Sequence, residues 1–107
     1  MLFFGPRITT ISTTELAEKL NAPTKPILID VREPDEFAAG HVPRAVNVPL
    51  RFVQQRAEEF DPAAETYVIC QSGHRSVTAT KQLMKVGFAN VASVSGGTSA
   101  WTGKLKK

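Results

Sequence analysis

The sequence predicts an α/β domain with a mainly parallel central sheet and helices on both of its faces. Short runs rich in β-branched residues alternate along the chain with segments of helical periodicity. The run at residues 26–31 is apolar except for one acid near its end, as is usual for a central parallel strand. The 107 residues suffice for one core, so we expect a single domain over 1–107, including an N-terminal extension at 1–7 and a basic C-terminal tail at 102–107.

Five short apolar or β-branched runs predict the strands of this sheet. They lie at residues 8–11, 26–31, 45–49, 66–69 and 91–94. Segments of helical periodicity separate most of them, at residues 12–22, 34–40, 50–60 and 76–86. Strands that alternate with helices in this order favour parallel pairing through helical crossovers.

Local signals indicate where several helices begin and end. Ser12 is predicted to cap the first helix, and Glu15, three residues later, completes a capping box. The third helix is predicted as one amphipathic segment, because apolar residues recur near a helical period over 50–60. Gly87 closes the fourth helix. Trp101 is expected to be a core residue rather than a substrate platform, because such aromatic side chains bury a large area.

The composition is that of a soluble globular protein, with 42% hydrophobic and 21% charged residues. The net charge is +3, and part of the surplus lies in the tail, which we expect to be a solvated end. No nucleic-acid partner is expected, because the sequence shows no basic face with interleaved aromatic residues. No apolar run approaches the length of a bilayer, so no membrane partner is expected. We expect a monomer or a weak homo-oligomer.

The chain has one cysteine, Cys70. A single thiol excludes an intramolecular disulfide and a multi-cysteine zinc cage, and we expect neither a metal nor a cofactor. The apolar residues 1–4 are too few for a signal segment, and Gly5 and Pro6 end the run. A free thiol suits a reducing compartment, so the expected location is the cytoplasm.

Cys70 occupies the position in the chain where reactive chemistry is expected. It follows the predicted strand at 66–69 directly, and a helix begins a few residues later. Open α/β sheets bind ligands at this edge, and a helix N-terminus favours anions. Arg75 adds a cation, and Gly73 permits a positive φ that brings backbone N–H groups around an anion. Such surroundings lower the pKa of a thiol and make it nucleophilic.

Four segments of the chain resemble the same family and occur in that family's order. They are YVICQSGHRS at 67–76, DVRE at 30–33 with Phe37, GHVPRAVNVP at 40–49, and GGTSAW at 96–101. In these segments, which span most of the chain, the sequence resembles single-domain rhodanese-like sulfurtransferases. Arg44 stands where the family often has glycine. The resemblance implies a rhodanese-like domain, which has the fold class predicted above.

The resemblance also implies which residues form the site. Cys70 is the implied nucleophile. The implied substrate-binding residues follow it in the chain and are Gln71, Ser72, Gly73, His74, Arg75 and Ser76. Four further residues are implied to support the site structurally, namely Asp30, Arg32, Gly96 and Gly97.

Side-chain chemistry suggests individual roles within this loop. Arg75 is expected to attract an anionic donor and to bind sulfonate oxygens in bidentate fashion. Ser76 is expected to cap the following helix with its hydroxyl. The side chain of His74 is expected to point to solvent while its N–H faces inward. The alternative, in which a protonated His74 ring lowers the pKa of the Cys70 thiol, stays open.

The implied reaction is a double displacement through a covalent intermediate. The Cys70 thiolate takes the sulfane sulfur of thiosulfate or another donor and becomes a persulfide. Cyanide or a thiol then removes that sulfur. Backbone N–H groups of residues 71–76 are expected to stabilise the persulfide anion. The expected partners are therefore a small-molecule sulfur donor and a small-molecule acceptor.

Three alternatives stay open at this stage. A carrier module would accept a persulfide from one protein and pass it to another through the same cysteine. A Cys-dependent phosphatase or arsenate reductase uses a similar loop, but with five residues between Cys and Arg, whereas four separate Cys70 from Arg75 here. The resemblance implies that the shorter loop suits a single sulfur atom rather than a phosphate. Finally, Cys70 could be a small buried side chain with a packing role only.

Overall fold

The fold is built on a five-stranded parallel sheet with the strand order β1-β5-β4-β2-β3. The computed structural model describes residues 7–107, so the apolar segment 1–4 and most of the predicted extension lie outside it. The strands are β1 (Thr9–Ile11), β2 (Ile27–Asp30), β3 (Val46–Asn47), β4 (Thr66–Ile69) and β5 (Val91–Val94). The predicted fold class is confirmed, and β4 lies at the centre of the sheet.

Within the described residues, five α-helical segments connect or follow these strands. They are α1 (Thr13–Asn21), α2 (Pro34–Ala39), α3 (Val53–Arg56), α4 (His74–Lys85) and α5 (Gly97–Ala100). The predicted capping box of α1 is confirmed, since the Ser12 hydroxyl accepts from the Glu15 N–H and the Glu15 carboxylate accepts from the Ser12 N–H, both at 3.0 Å. Within residues 7–107, no helix is both long and apolar enough to cross a membrane.

The two faces of the sheet bury separate apolar clusters, because successive side chains of a strand point to opposite faces. One cluster packs against α3 and α4 and includes Ile29, Val53, Val68, Ala79 and Leu83. The other packs against α1 and includes Leu16, Leu20, Leu28, Tyr67 and Ile69. Helices therefore cover both faces, and the central strands are buried on both sides as the sequence predicted.

The segment predicted as one amphipathic helix at 50–60 is divided into three short pieces. They are a 3₁₀ turn at Leu50–Phe52, α3, and a second 3₁₀ turn at Ala57–Glu59. The Leu50 N–H donates to the Val31 carbonyl at 3.0 Å, which ties the first turn to the end of β2. Phe52 and Arg56 have ψ values of 0° and 3°, and this geometry interrupts the regular α-helix. The prediction of one helix is therefore wrong, although its apolar side still faces the core.

The basic tail is exposed, but its backbone is paired. The Lys106 N–H donates to the His41 carbonyl at 2.8 Å, and the His41 N–H donates to the Lys106 carbonyl at 2.9 Å. The tail therefore runs beside the end of α2 rather than projecting as a free solvated end. Next to this bridge, the Leu105 side chain approaches the backbone of Gly40.

Arg44, at the position where the resemblance leads us to expect glycine, has a left-handed conformation with φ of 80°. Among the described residues it is the one non-glycine residue with a positive φ. We expect Arg44→Gly to raise the free energy of unfolding by up to about 1 kcal/mol, because glycine removes the left-handed strain. Urea denaturation measures this change. Arg44→Ala is the matched control, since it deletes the same exposed side chain and keeps the strain. Equal stabilities of the two variants would contradict the prediction.

Candidate active site

Cys70 lies at the carboxyl end of the central strand β4, and α4 begins four residues later at His74. The residue is only 1% exposed and one side of it belongs to the apolar cluster under α3 and α4. Its burial fits the packing alternative, but its sulfur has polar neighbours. The Sγ atom accepts a hydrogen bond from the Gly73 N–H at 3.1 Å and from the Ser76 N–H at 3.3 Å. These bonds place Sγ inside a loop of N–H donors, as the sequence predicted.

The electrostatic surroundings favour the thiolate form of Cys70. Burial acts to raise the pKa of the thiol, but hydrogen bonds to the sulfur outweigh it, so the pKa of Cys70 is lowered overall. The donors are the Ser76 hydroxyl, the Ser76 N–H, the Gly73 N–H and the Ser72 N–H. The Ser76 hydroxyl lies 3.5 Å from Sγ: its oxygen accepts from the protonated thiol, and its O–H donates to the thiolate once it turns away from the Gly73 carbonyl. A thiolate is the reactive form of cysteine, so this loop presents a nucleophile.

The helix cap differs from the prediction. Gly73, with φ of 108°, is the N-cap of α4, and the helix starts two residues earlier than predicted, at His74. Ser76 therefore lies in the first turn, where its hydroxyl donates to the Gly73 carbonyl at 3.2 Å and contacts the Ser93 hydroxyl at 2.8 Å. The prediction that Ser76 caps the helix is wrong, because the left-handed glycine takes that position and frees the serine hydroxyl to approach the sulfur.

Removal of the Ser76 hydroxyl is expected to raise the pKa of the Cys70 thiol, since one donor to the sulfur is lost while the Ser76 N–H remains. In Ser76→Ala, alkylation by iodoacetamide at pH 6 should slow by about tenfold, the scale of one hydrogen bond to a charged group. Ser72→Ala is the matched control, because its exposed hydroxyl faces the His74 ring rather than Sγ. If both variants react as fast as the unmodified protein, the hydroxyl does not stabilise the thiolate.

The second glycine-rich turn packs directly against the Cys70 loop. The Thr98 N–H donates to the Cys70 carbonyl at 2.9 Å, and the Ser99 N–H donates to the Gln71 carbonyl at 3.0 Å. A Cβ atom on Gly97 would lie 2.3 Å from the Cys70 carbonyl oxygen. Gly96 precedes it as the N-cap of α5. The structure therefore places Gly96 and Gly97 beside the Cys70 loop, where they can give the structural support that the resemblance implies.

Asp30 and Arg32 form a buried ion pair that extends to the loop. The Asp30 carboxylate binds the Arg32 guanidinium at 2.9 Å, with both side chains almost fully buried. Arg32 also donates to the Gly40 carbonyl at 2.8 Å and to the Gln71 side-chain oxygen at 3.2 Å. Gln71 in turn donates to the Ser99 hydroxyl at 2.8 Å. Both ends of the Gln71 amide are thus engaged in contacts that fix the loop.

Arg75 has a carboxylate partner that the sequence analysis did not identify. Its Nη1 donates to Glu36 Oε1 at 2.7 Å and its Nη2 donates to Glu36 Oε2 at 3.0 Å. Arg75 therefore makes the bidentate contact that was expected for a bound donor with Glu36 of α2 instead. The hydrogen bond from Arg75 is the main cause that lowers the pKa of Glu36 to about 2. The pair is held across the pH range in which a thiolate would act.

The two other side chains of the loop face outward. Ser72 and His74 are exposed, and the Ser72 hydroxyl lies 3.3 Å from His74 Nδ1. This orientation of the His74 side chain agrees with the prediction that it points to solvent. Neither side chain makes a hydrogen bond to Sγ among the contacts of the described residues.

Sequence reasoning missed Glu36, Ser93 and Thr98. Glu36 carries a usable signal, because it belongs to the acidic first turn of a helix that starts at the carboxyl edge of the sheet. Ser93 is a buried hydroxyl in an otherwise apolar strand, and such a residue needs a hydrogen-bond partner. No pattern in the sequence indicates that Thr98 binds the Cys70 carbonyl.

Comparison with known proteins agrees with this geometry. A family model described as Rhodanese-like domain matches residues 12–104. This chain belongs to the rhodanese-like family. The rhodanese-like match covers β4, the Cys70 loop and the α5 turn together, so the family resemblance and the fold expected from it are confirmed.

Three similar proteins illustrate the rhodanese-like relatives. YtwF of Bacillus subtilis strain 168, whose sulfurtransferase name is provisional, is 41% identical over 99 residues, which are 92% of this chain and 95% of YtwF. YrkF of the same strain, provisionally named a sulfur carrier protein, is 38% identical over 99 residues, which are 92% of this chain but only 54% of YrkF. The structure of the human single-domain sulfurtransferase TSTD1 matches with a TM-score of 0.78 and 27% identity, over 89% of this chain and 96% of TSTD1.

Proposed function

We propose that the protein is a sulfurtransferase that moves a sulfane sulfur from thiosulfate or another donor to a thiophilic acceptor through a persulfide on Cys70. The observation that carries this proposal is the position of Sγ, which accepts two backbone N–H bonds at 3.1 and 3.3 Å. The protein belongs to a family of rhodanese-like sulfurtransferases and sulfur carriers, and this membership supports the same chemistry.

The reaction has two displacements at sulfur. The Cys70 thiolate attacks the sulfane sulfur of thiosulfate, the S–S bond of the donor breaks, and sulfite leaves with the bonding electrons. The acceptor, cyanide or a thiolate, then attacks the outer sulfur of the Cys70 persulfide and regenerates the thiolate. The N–H groups of Gly73 and Ser76 point at Sγ and stabilise the thiolate before its attack. In the persulfide the charge lies on the outer sulfur, and N–H groups of residues 71–76 would stabilise it there.

The remaining loop residues have proposed roles around this step. Gln71 shapes the loop through its contacts with Arg32 and Ser99. Ser72 and His74 are exposed and border the path of donor and acceptor. No resident cofactor is required by this scheme. A reducing compartment such as the cytoplasm would keep the Cys70 thiol free.

Intact-mass spectrometry tests the proposed function. The reduced protein is mixed with thiosulfate, and cyanide is added afterwards. We expect a mass gain of one sulfur atom on the protein, followed by its loss and the appearance of thiocyanate. Aryl phosphate serves as the substrate that should not be turned over. Absence of any sulfur gain with thiosulfate and with organic donors would contradict the proposed function.

A persulfide carrier between two proteins is the second candidate, and one observation favours it. YrkF, which is similar over 92% of this chain, is named provisionally as a sulfur carrier protein. A carrier would load slowly from thiosulfate and rapidly from a persulfidated partner protein. Loading rates from these two sources, compared by the same mass measurement, distinguish the carrier from the small-molecule enzyme.

A further inference from the structure

The guanidinium of Arg75 is already neutralised where an anionic donor would need it. Both of its terminal nitrogens bind the two oxygens of Glu36, at 2.7 and 3.0 Å. The Glu36 Oε1 atom also accepts from the Glu33 N–H at 2.9 Å, so the carboxylate is held in place from the helix side as well. In this bidentate pair, the two guanidinium N–H groups that could bind a sulfonate are already bound to Glu36.

The same neutralisation recurs in two other arginines at the carboxyl edge of the sheet. Arg32, just after β2, is paired with the buried carboxylate of Asp30 at 2.9 Å. Arg51, just after β3, is paired with Glu33. These arginines and Arg75 each have a carboxylate partner, so none of the three offers an uncompensated positive charge to a dianion. Beyond the short-range N–H donors of the loop, attraction of a charged ligand to the site depends on such uncompensated charge.

A groove beside the loop offers space for an organic group. It has a volume of about 370 Å³, and its polar lining includes Arg32, Glu36 and the loop residue Gln71. Ala39, Gly40, Thr98 and Leu105 complete the lining, and the Leu105 side chain is 45% exposed. Apolar residues beside the Glu36 carboxylate, which neutralises Arg75, suit a ligand with a carbon-based group and little charge.

We propose that Glu36, by holding Arg75, is a specificity-determining residue that makes the site favour donors with an organic group and at most one negative charge over the dianion thiosulfate. Organic persulfides and organic thiosulfonates are the donor classes that fit. This inference rests on the proposed function of Cys70 as the sulfur acceptor.

Both donor classes give a balanced transfer step. With a protonated persulfide, the Cys70 thiolate attacks the outer sulfur, the donor S–S bond breaks, and an organic thiolate leaves with the bonding electrons. With a thiosulfonate, the thiolate attacks the sulfane sulfur and an organic sulfinate leaves. In each case Cys70 gains one sulfur atom, the total charge is conserved, and no further oxidant or reductant is needed.

The test compares two donors in single-turnover loading of the protein with sulfur, followed by quenched intact-mass spectrometry. Benzenethiosulfonate is the organic monoanion, and thiosulfate is the dianion. We expect the unmodified protein to load faster from benzenethiosulfonate. In Glu36→Gln, which can keep the bond from the Glu33 N–H but loses the charge, the preference should fall by about tenfold, the scale of one charge-assisted hydrogen bond.

Two further variants isolate the cause. In Glu36→Gln alone, thiosulfate should load faster because Arg75 is freed. Adding Arg75→Ala should cancel this increase in the thiosulfate loading rate, because the freed cation is then removed. Glu59→Gln is the matched control, because the same chemical change there frees Arg56, which is the last residue of α3 and forms an ion pair with Glu59. It should leave the donor preference unchanged.

The outcomes separate this inference from the proposed function. If neither donor loads the unmodified protein, the proposed function fails. If both donors load it and Glu36→Gln leaves their ratio unchanged, only the inference about Glu36 is overturned. Salt dependence of the unmodified protein gives a second measurement that needs no variant. Loading from thiosulfate should not slow as ionic strength rises, whereas a steep decrease would show an uncompensated attracting charge and overturn the inference.

Discussion

Cys70→Ser is expected to abolish sulfur loading while the fold stays intact. The serine hydroxyl can accept the N–H bonds that Gly73 and Ser76 direct at the sulfur, so the loop keeps its hydrogen bonds. A hydroxyl is a far weaker nucleophile than a thiolate, and no adjacent base in the described site activates it. We expect the loading rate to fall by at least about 10³-fold, as for removal of a covalent nucleophile.

Mass spectrometry with thiosulfate and benzenethiosulfonate measures this loss for both donors. Circular dichroism and urea denaturation provide the control for folding, and we expect a change in the free energy of unfolding within about 1 kcal/mol, because the two side chains differ by one atom. Since Cys70 is the one thiol of the chain, sulfur that still loads onto Cys70→Ser at the normal rate would contradict its role as nucleophile.

The sequence was sufficient to predict features that depend on local pattern. The β-branched run before Cys70 is long enough to specify β4, and the glycine three residues later permits the positive φ that the loop needs. Both signals lie within a few residues of the sulfur. The position of Cys70 at the carboxyl edge of the sheet, close to donors from the loop, could therefore be predicted without knowledge of tertiary contacts.

Features that depend on distant residues could not be predicted in the same way. Arg75 and Glu36 are 39 positions apart, and only the packing of α2 beside the loop makes them partners. The contact of the Ser76 hydroxyl with the Ser93 hydroxyl on β5, at 2.8 Å, likewise joins residues 17 positions apart. The neutralisation of Arg75 was therefore missed, because Arg75 lies close to Cys70 in the sequence whereas Glu36 lies in a different helix.

The Cys70 loop packs so closely on the α5 turn that a side chain at position 97 is expected to displace the loop and slow sulfur loading. Gly97 has φ of +59°, and a Cβ atom there would lie 2.3 Å from the Cys70 carbonyl oxygen and 2.7 Å from the Gln71 carbonyl atoms. These are backbone atoms, so the clash cannot be relieved by rotating a side chain. The loop that carries the sulfur must move instead.

We expect Gly97→Ala to slow sulfur loading on the order of 100-fold, because a displacement of about 1 Å in a reacting group has effects of this size. The free energy of unfolding should fall by about 2–4 kcal/mol, from left-handed strain together with overpacking. Gly87→Ala is the matched control, since Gly87 has φ of +103° and no atom within 4 Å of its would-be Cβ. It should lose stability through strain alone, by about 1–2 kcal/mol, and keep its loading rate.

Comparison of the two variants separates strain from contact. If Gly97→Ala and Gly87→Ala lose equal stability and both load sulfur normally, the α5 turn does not position the Cys70 loop. If Gly97→Ala loads slowly but Gly87→Ala does not, the backbone contact between the two glycine-rich loops is required for transfer. The hydrogen bonds from Thr98 and Ser99 to the carbonyls of Cys70 and Gln71 then hold the nucleophile in position, while Gly97 allows the approach that makes them possible.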